Sequence, residues 1–363
     1  MHWLRSLLGL RDDHADLFSP VPPNPAQDAL AAIDDLSRAM KNHQGAVEIC
    51  SALGNLYRMR GELDRAIQMR SSLLARPDLN REDQARIWFE LARDYSRAGI
   101  LDRAAEAQRQ CREIGGEHPA LSLETALLLA KGGDFLEASR QYMQMGHAPQ
   151  AAHYLVRAAT KGDSTDMGLI AEAREIYPAS PEAWLEGIMH HIRRGAWDEV
   201  IDQLDQGLGV VGPNLGFVLL DPLLDFENPA EPACAILPAA HLDTLLNVID
   251  RHPPDLSSLF SAGSLLRAHG RVDEAKTWQE KALLLNPAFW PSRLELLTMS
   301  LPEQNMTPVF ELQLDFLLRR AREAKRFVCR RCGLKRGQIF FCCPKCMSWH
   351  SITIRQLLTD EAS

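Results

Sequence analysis

The chain has 363 residues, of which 46% are hydrophobic and 24% charged, the composition of an ordinary soluble globular protein with length for two or three domains. Its eight cysteines do not form a secreted disulfide framework, which points to a reducing cytoplasm. The net charge of −8 conceals an asymmetry: the segment from Asp315 to Leu357 holds eleven Lys/Arg against two acids, so an acidic body carries a basic end.

Residues Met1 to Leu10 are apolar but interrupted by Arg5 and followed by Arg11, Asp12 and Asp13. A spanning helix needs about 20 apolar residues, and no cleavage site follows a signal-like core. Trp3, Leu4, Leu7, Leu8 and Leu10 can lie on one side of a helix in a membrane interface, or pack as a tail on the body. Residues 1–25 are therefore read as an apolar stub with a Pro-rich linker.

Self-similarity at about 34 residues follows, the period of tetratricopeptide hairpins. Leu53-Gly54, Tyr57, Gly61 and Ala66 recur as Leu91-Ala92, Tyr95, Gly99 and Ala104, then as Ala126, Leu129, Gly133 and Ala138. Trp184, Ile188, His191, Gly195 and Val200 form a looser copy. The clearest late copy is Gly263, Leu266, Gly270, Ala275, Ala282 and Pro287. Each copy predicts two helices that approach at small residues, a glycine turn between them, and a proline that closes the second. One hairpin cannot bury its apolar face alone, so several must stack. Ala29 to Met40 reads as the second helix of a preceding half-repeat, and His147 to Pro178 keeps the length with few signature positions.

These repeats predict an all-α superhelix with N-terminal repeats over 26–211, an irregular Pro-rich bridge and helix over 212–254, and a C-terminal repeat with capping helices over 255–325. The bridge holds five prolines between Gly212 and Pro238 and no helical period. Pro291 to Leu301 and Val309 to Lys325 are predicted helices. Gly207-Leu-Gly209-Val-Val-Gly212 matches a dinucleotide fingerprint in letters only, because it follows a helical run and meets Pro213 where a strand and a new helix are required. No P-loop, zinc-protease or nucleophile-elbow motif appears, so the sequence argues against an enzyme and against a small-molecule substrate.

Residues 326–358 carry the strongest chemical signal. Cys329-Arg-Arg-Cys332-Gly333 and Cys343-Pro-Lys-Cys346 are two C-x2-C pairs at a spacing that closes a four-thiolate metal site, and Gly333 suits the left-handed backbone of such a knuckle. A redox C-x-x-C would occur once and open a helix after a strand. Cys342 competes with Cys343, and Cys343 is preferred because it keeps the two-residue loop. His350 reads as a packed histidine, not a fifth ligand. Zinc is the expected ion, with iron as the second choice, and its role is structural because no open position is left for water. A module of this size is too small to support a core alone.

On the first helices of adjacent repeats, Asn55 and Arg93 are predicted to face a groove, with Arg58 and Arg97 about one turn further on. Such side chains can grip a peptide, or simply form a solvated face. The basic end admits nucleic-acid binding, but Phe327, Phe340, Phe341 and Trp349 read as the module's core and not as stacking platforms. That argues against nucleic acid and for protein partners, with anionic lipid as another recipient of the charge.

Tetratricopeptide hairpins with a four-cysteine tail resemble the lipopolysaccharide assembly protein B family of Gram-negative bacteria. The similarity is closest over Leu53-Gly-Asn-Leu-Tyr57, Arg60-Gly-Glu-Leu-Asp-Arg-Ala-Ile67, Ala92-Arg-Asp-Tyr95 and Ala98-Gly-Ile-Leu-Asp-Arg-Ala104. It returns over Arg326 to Ile352, which resembles the family's rubredoxin-like tail, including Trp349. The resemblance implies a non-catalytic adaptor at the cytoplasmic face of the inner membrane. It would couple an ATP-dependent protease to the deacetylase that commits carbon to lipid A, with Cys329, Cys332, Cys343 and Cys346 as metal ligands. Typical members begin with a transmembrane helix, where this sequence begins with the ten-residue stub, and the repeat array here looks shorter. The expected location is cytoplasmic or peripheral at that membrane face.

Overall fold

The computed structural model describes residues 47–77, 79–162, 164–226 and 232–356. The stub and linker of residues 1–25 and the half-repeat helix Ala29 to Met40 lie outside the described residues. Contact density divides the chain between Tyr154 and Leu155.

The first unit is a run of helical hairpins. Helices α1 (Val47–Arg60) and α2 (Leu63–Leu74), α3 (Arg81–Ala98) and α4 (Leu101–Gly115), and α5 (Pro119–Gly132) and α6 (Phe135–Gln144) pair in sequence order, and α7 (Ala148–Ala159) runs across the division. The repeat signature places these elements. Ala66, Ala104, Ala126 and Ala138 are fully buried, because only small side chains let the paired helices close up. The hairpin turns at Gly61, Gly99 and Gly133 all have φ near +80°, a left-handed conformation that costs a residue with a Cβ about 1–2 kcal/mol. Local chemistry fixes the ends: the Asn80 side chain accepts the Asp83 N–H at 2.7 Å to start α3, and Gly99 ends it.

The second unit continues the pattern with α8 (Met167–Ile176), α9 (Pro181–Arg194) and α10 (Trp197–Val211). The segment His147 to Pro178, weak in signature, is helical all the same, as α7 and α8. Past the bridge, α12 (Ala239–Arg251), α13 (Leu256–Ala268), α14 (Val272–Leu285) and α15 (Trp290–Ser300) follow, with α16 (Pro308–Arg322) last. Trp184, Ile188, Val200, Leu204, Leu245, Leu265 and Ala275 belong to one core shared by these helices. Gly207, Gly209 and the N-terminal side of Gly212 lie in and at the end of α10, where no phosphate cradle is possible. A Cβ at Gly207 would come within 2.8 Å of Leu219, so this glycine serves close packing.

The bridge contains more structure than its prolines suggest. Gly216–Leu220 forms a short helix, α11, all of it buried, followed by a 3-10 turn at Asp221–Leu223. A two-stranded antiparallel ribbon pairs β1 (Leu224–Asp225) with β2 (Cys234–Ala235). Five residues are too few for a helical period to show, and α11 has no polar face because it is covered on every side.

The C-terminal module is a three-stranded antiparallel sheet in the order β4-β3-β5, made of β3 (Phe327–Cys329), β4 (Lys335–Arg336) and β5 (Ile352–Ile354). Phe327 lies opposite both Arg336 and Ile354. Its core is not self-sufficient. Phe327, Phe340 and Ile352 pack in one cluster with Phe217 and Val218 of α11, and the Phe217 and Phe327 rings stack at 5.6 Å. The Pro-rich bridge is therefore the platform on which the small module completes its core.

Candidate metal centre

Two chain reversals bring the cysteines together, and they are built alike. In the first, the Gly333 N–H donates to the Cys329 carbonyl at 2.9 Å and the Cys329 N–H donates to Leu334 O at 2.9 Å. In the second, the Met347 N–H donates to the Cys343 carbonyl at 2.8 Å and the Cys343 N–H donates to Ser348 O at 2.9 Å. The residue after each second cysteine is left-handed, Gly333 at φ +70° and Met347 at φ +56°. This repeated geometry belongs to Cys343, not to Cys342, which forms a bridge with Trp349 instead.

The four sulfurs of Cys329, Cys332, Cys343 and Cys346 lie within 4.8 Å of one another. Cys329 and Cys346 Sγ are 3.7 Å apart, and Cys332 and Cys343 Sγ 3.6 Å. Those separations are far too long for disulfides, whose sulfurs sit about 2.05 Å apart. They match the edge of about 3.8 Å expected for a tetrahedron of thiolates about 2.3 Å from a zinc ion. Cys329 and Cys343 are buried and the other two half-buried, so four thiolates could not sit there uncompensated. The donor set fits a metal ion.

Hydroxyls adjoin two of the sulfurs. Ser351 Oγ is 3.2 Å from Cys329 Sγ and Ser348 Oγ is 3.0 Å from Cys346 Sγ. Burial pushes the Cys329 thiol up, but hydrogen bonds from Ser351, from the Arg331 and Cys332 N–H groups and from Ser348 outweigh it and hold it at about 6. Burial drives Cys332 the other way, to about 12. Burial also raises Cys342 to about 11, reinforced by Cys343 and Cys346.

His350 is not among the clustered sulfurs. Its Nε2 lies 3.0 and 3.1 Å from the two carboxylate oxygens of Glu182, and its ring stacks on Tyr177 at 6.0 Å. Glu182 is itself buried, in the first turn of α9. Trp290 Nε1 donates to Arg355 O at 2.8 Å, and Arg326 pairs with Asp221 while lying 3.4 Å over the Phe226 ring. These contacts clamp the module to α9, α15 and the bridge. Phe327 and Phe340 are buried and unavailable as stacking platforms.

The predicted groove residues divide. Arg58 is 7% exposed, and its guanidinium bonds Glu90 at 2.5 Å, Asp94 at 3.1 Å and Asn55 at 2.7 Å. Arg70, fully buried in α2, bonds the same Asp94 and takes the Asn55 oxygen at 2.5 Å. Buried Arg58 thus corrects the expectation of an open groove contact: with half-buried Asn55 it belongs to a network across α1, α2 and α3. Arg93 is half-exposed between Glu90 at 3.3 Å and Glu124 at 3.0 Å, and Arg97 is exposed. Arg70 escaped sequence reasoning because its role depends on Gly54, where a Cβ would lie 2.8 Å from the guanidinium carbon.

No family model matches the chain. Among curated proteins, one from Escherichia coli (strain K12) aligns over 354 residues at 23% identity, covering 88% of this chain and 84% of its own length. The chain is similar to lipopolysaccharide assembly protein B. The same similarity is found to lipopolysaccharide assembly protein B of Escherichia coli O157:H7. Of the solved structures, YrrB, a tetratricopeptide protein with an unusual peptide-binding site, is 14% identical with a TM-score of 0.23, covering 72% of this chain and 96% of its own. A tetratricopeptide repeat protein from Parabacteroides merdae is 15% identical with a TM-score of 0.26, covering 76% and 93%. The combination that marks the resemblance to lipopolysaccharide assembly protein B, stacked hairpins and a four-cysteine tail, is present in this fold. No helix among the described residues is long and apolar enough to cross a membrane.

Proposed function

We propose that this chain is a non-catalytic adaptor that regulates lipopolysaccharide assembly by linking an inner-membrane ATP-dependent protease to the deacetylase of the lipid A pathway. The observation that carries this reading is the similarity to lipopolysaccharide assembly protein B over 88% of the chain. Stacked hairpins offer an extended protein-binding surface. Arg93 and Arg97 are the groove residues available to a client's carboxylates or backbone.

In this reading Cys329, Cys332, Cys343 and Cys346 hold zinc, with iron as the second choice. The ion supplies folding free energy, and the module fixes the helices it is clamped to. The working division is an apolar stub and Pro-rich linker at 1–25, repeats at 26–211, the bridge and its helix at 212–254, the last repeat and capping helices at 255–325, and the metal module at 326–358. The protein acts at the cytoplasmic side of the membrane, on protein partners.

The test is affinity recovery from cells with the full chain, followed by mass spectrometry. Recovery of the protease and the deacetylase, and their loss with Arg93→Glu/Arg97→Glu, supports the assignment. Recovery of neither partner counts against it.

A further inference from the structure

We propose that α16 is a second recognition element, one that lies on an anionic lipid surface. The helix is mounted inside out. Leu318 is its buried residue, while Val309, Phe310, Leu312, Phe316 and Leu317 are each more than half exposed. At 100° per residue the exposed five fall on one side of the helix, opposite Leu318. An amphipathic helix normally turns this stripe toward the core. Here the stripe faces solvent, and no other described helix presents so many large exposed apolar side chains.

Charge selects the occupant. Arg319 and Arg320 stand at the C-terminal end of the stripe, with side chains 62% and 63% exposed. They pair with Asp315 at 2.8 Å and Glu323 at 2.7 Å. Pairs so exposed are weak and can exchange a carboxylate for a lipid phosphate. The chain then continues through exposed Lys325, Arg330, Arg331, Arg336 and Lys345, within the segment that carries +9. A second copy meeting this one stripe to stripe would bring two such cationic ends together, which their repulsion opposes. An anionic bilayer satisfies both halves: aromatic and aliphatic side chains enter the headgroup boundary, and the arginines reach phosphate. Arg320 also lies over the Phe316 ring at 5.6 Å, an arrangement that keeps cation and apolar side chain at one level.

The experiment is vesicle co-sedimentation of the full metal-loaded chain. Vesicles of phosphatidylethanolamine with about one-third phosphatidylglycerol are compared with pure phosphatidylcholine, at low salt and at about 0.5 M salt. The expected result is binding to the anionic vesicles alone, weakened by salt. Phe316→Glu/Leu317→Glu should lower it at least about tenfold, and Arg319→Gln/Arg320→Gln by a smaller factor. These side chains are exposed, so the variants keep the fold, checked by circular dichroism. Unchanged binding in Phe316→Glu/Leu317→Glu, which would place the contact in another segment, overturns the proposal. So does the absence of binding at low salt. A dimer in light scattering that the same substitutions dissociate, without vesicle binding, assigns the stripe to a second copy and also overturns it. None of these outcomes bears on recovery of the protease and the deacetylase.

Discussion

Gly333 and Met347 occupy the same place in two knuckles of the same construction, each one residue beyond the second cysteine of its pair, and both are left-handed. Glycine takes that conformation freely; methionine does so at a cost of about 1–2 kcal/mol. The Met347 side chain is 58% exposed, so little packing offsets the cost. Met347→Gly should therefore stabilise the module by up to about 1 kcal/mol, and Gly333→Ala should destabilise it by about as much. Chemical denaturation of the metal-loaded protein, followed by hydrogen exchange at Phe327–Cys329 and Ile352–Ile354, checks both signs.

Chelation should unfold the module while leaving the repeats helical. Apparent zinc affinity in comparable small modules is about 10–16 kcal/mol, more than a module of this size can replace by packing. Far-ultraviolet circular dichroism should barely change on adding a strong chelator, while hydrogen exchange at Phe327–Cys329 and Ile352–Ile354 should become fast. Cys329→Ser/Cys332→Ser should show the same exchange pattern without chelator.

Much of this was legible in the sequence, for identifiable reasons. The turn glycines and buried alanines repeat because each hairpin solves the same steric problem, so Gly61, Gly99, Gly133 and Gly270 could be placed from letters alone. The helices expected over Pro291 to Leu301 and Val309 to Lys325 are found at Trp290–Ser300 and Pro308–Arg322, the second ending three residues early. Other features depend on groups far apart in the chain. The Arg58 position looks like any exposed helix arginine until Glu90 and Asp94 of the next hairpin are brought beside it. Helix α11 is five residues long and buried all round, so no periodicity announces it. The outward turn of the α16 stripe is invisible in sequence, because spacing gives a face but not the direction in which it points.

The His350–Glu182 contact should tie the module to α9. Glu182 is 3% exposed, and besides His350 it meets the Ser180 hydroxyl at 3.3 Å. His350→Ala removes the imidazole that meets both oxygens of this buried carboxylate, at a cost of about 1–3 kcal/mol. Glu182→Gln/His350→Gln, which keeps hydrogen-bonding groups on both sides, should lose less. Thermal unfolding of the two variants, with metal bound, measures the difference.

Arg70 is the centre of the network in the first hairpins. Arg70→Met leaves Asp94 with Arg58 alone and should destabilise the first unit by about 3–5 kcal/mol, the usual cost of breaking a buried pair from one side. Arg70→Met/Asp94→Leu removes both charges together and should recover part of the loss. Urea denaturation of both variants decides; a double variant no more stable than the single would contradict the network.

The central claim is that four sulfurs grip one ion and hold the C-terminal module in shape. X-ray absorption at the metal edge, on protein purified without added metal and quantified for metal content, tests it directly. One ion per chain with four sulfur neighbours at about 2.3 Å is the predicted result. Material that is folded in residues 326–358 yet contains no stoichiometric metal, or a metal with nitrogen or oxygen in place of these sulfurs, would contradict it.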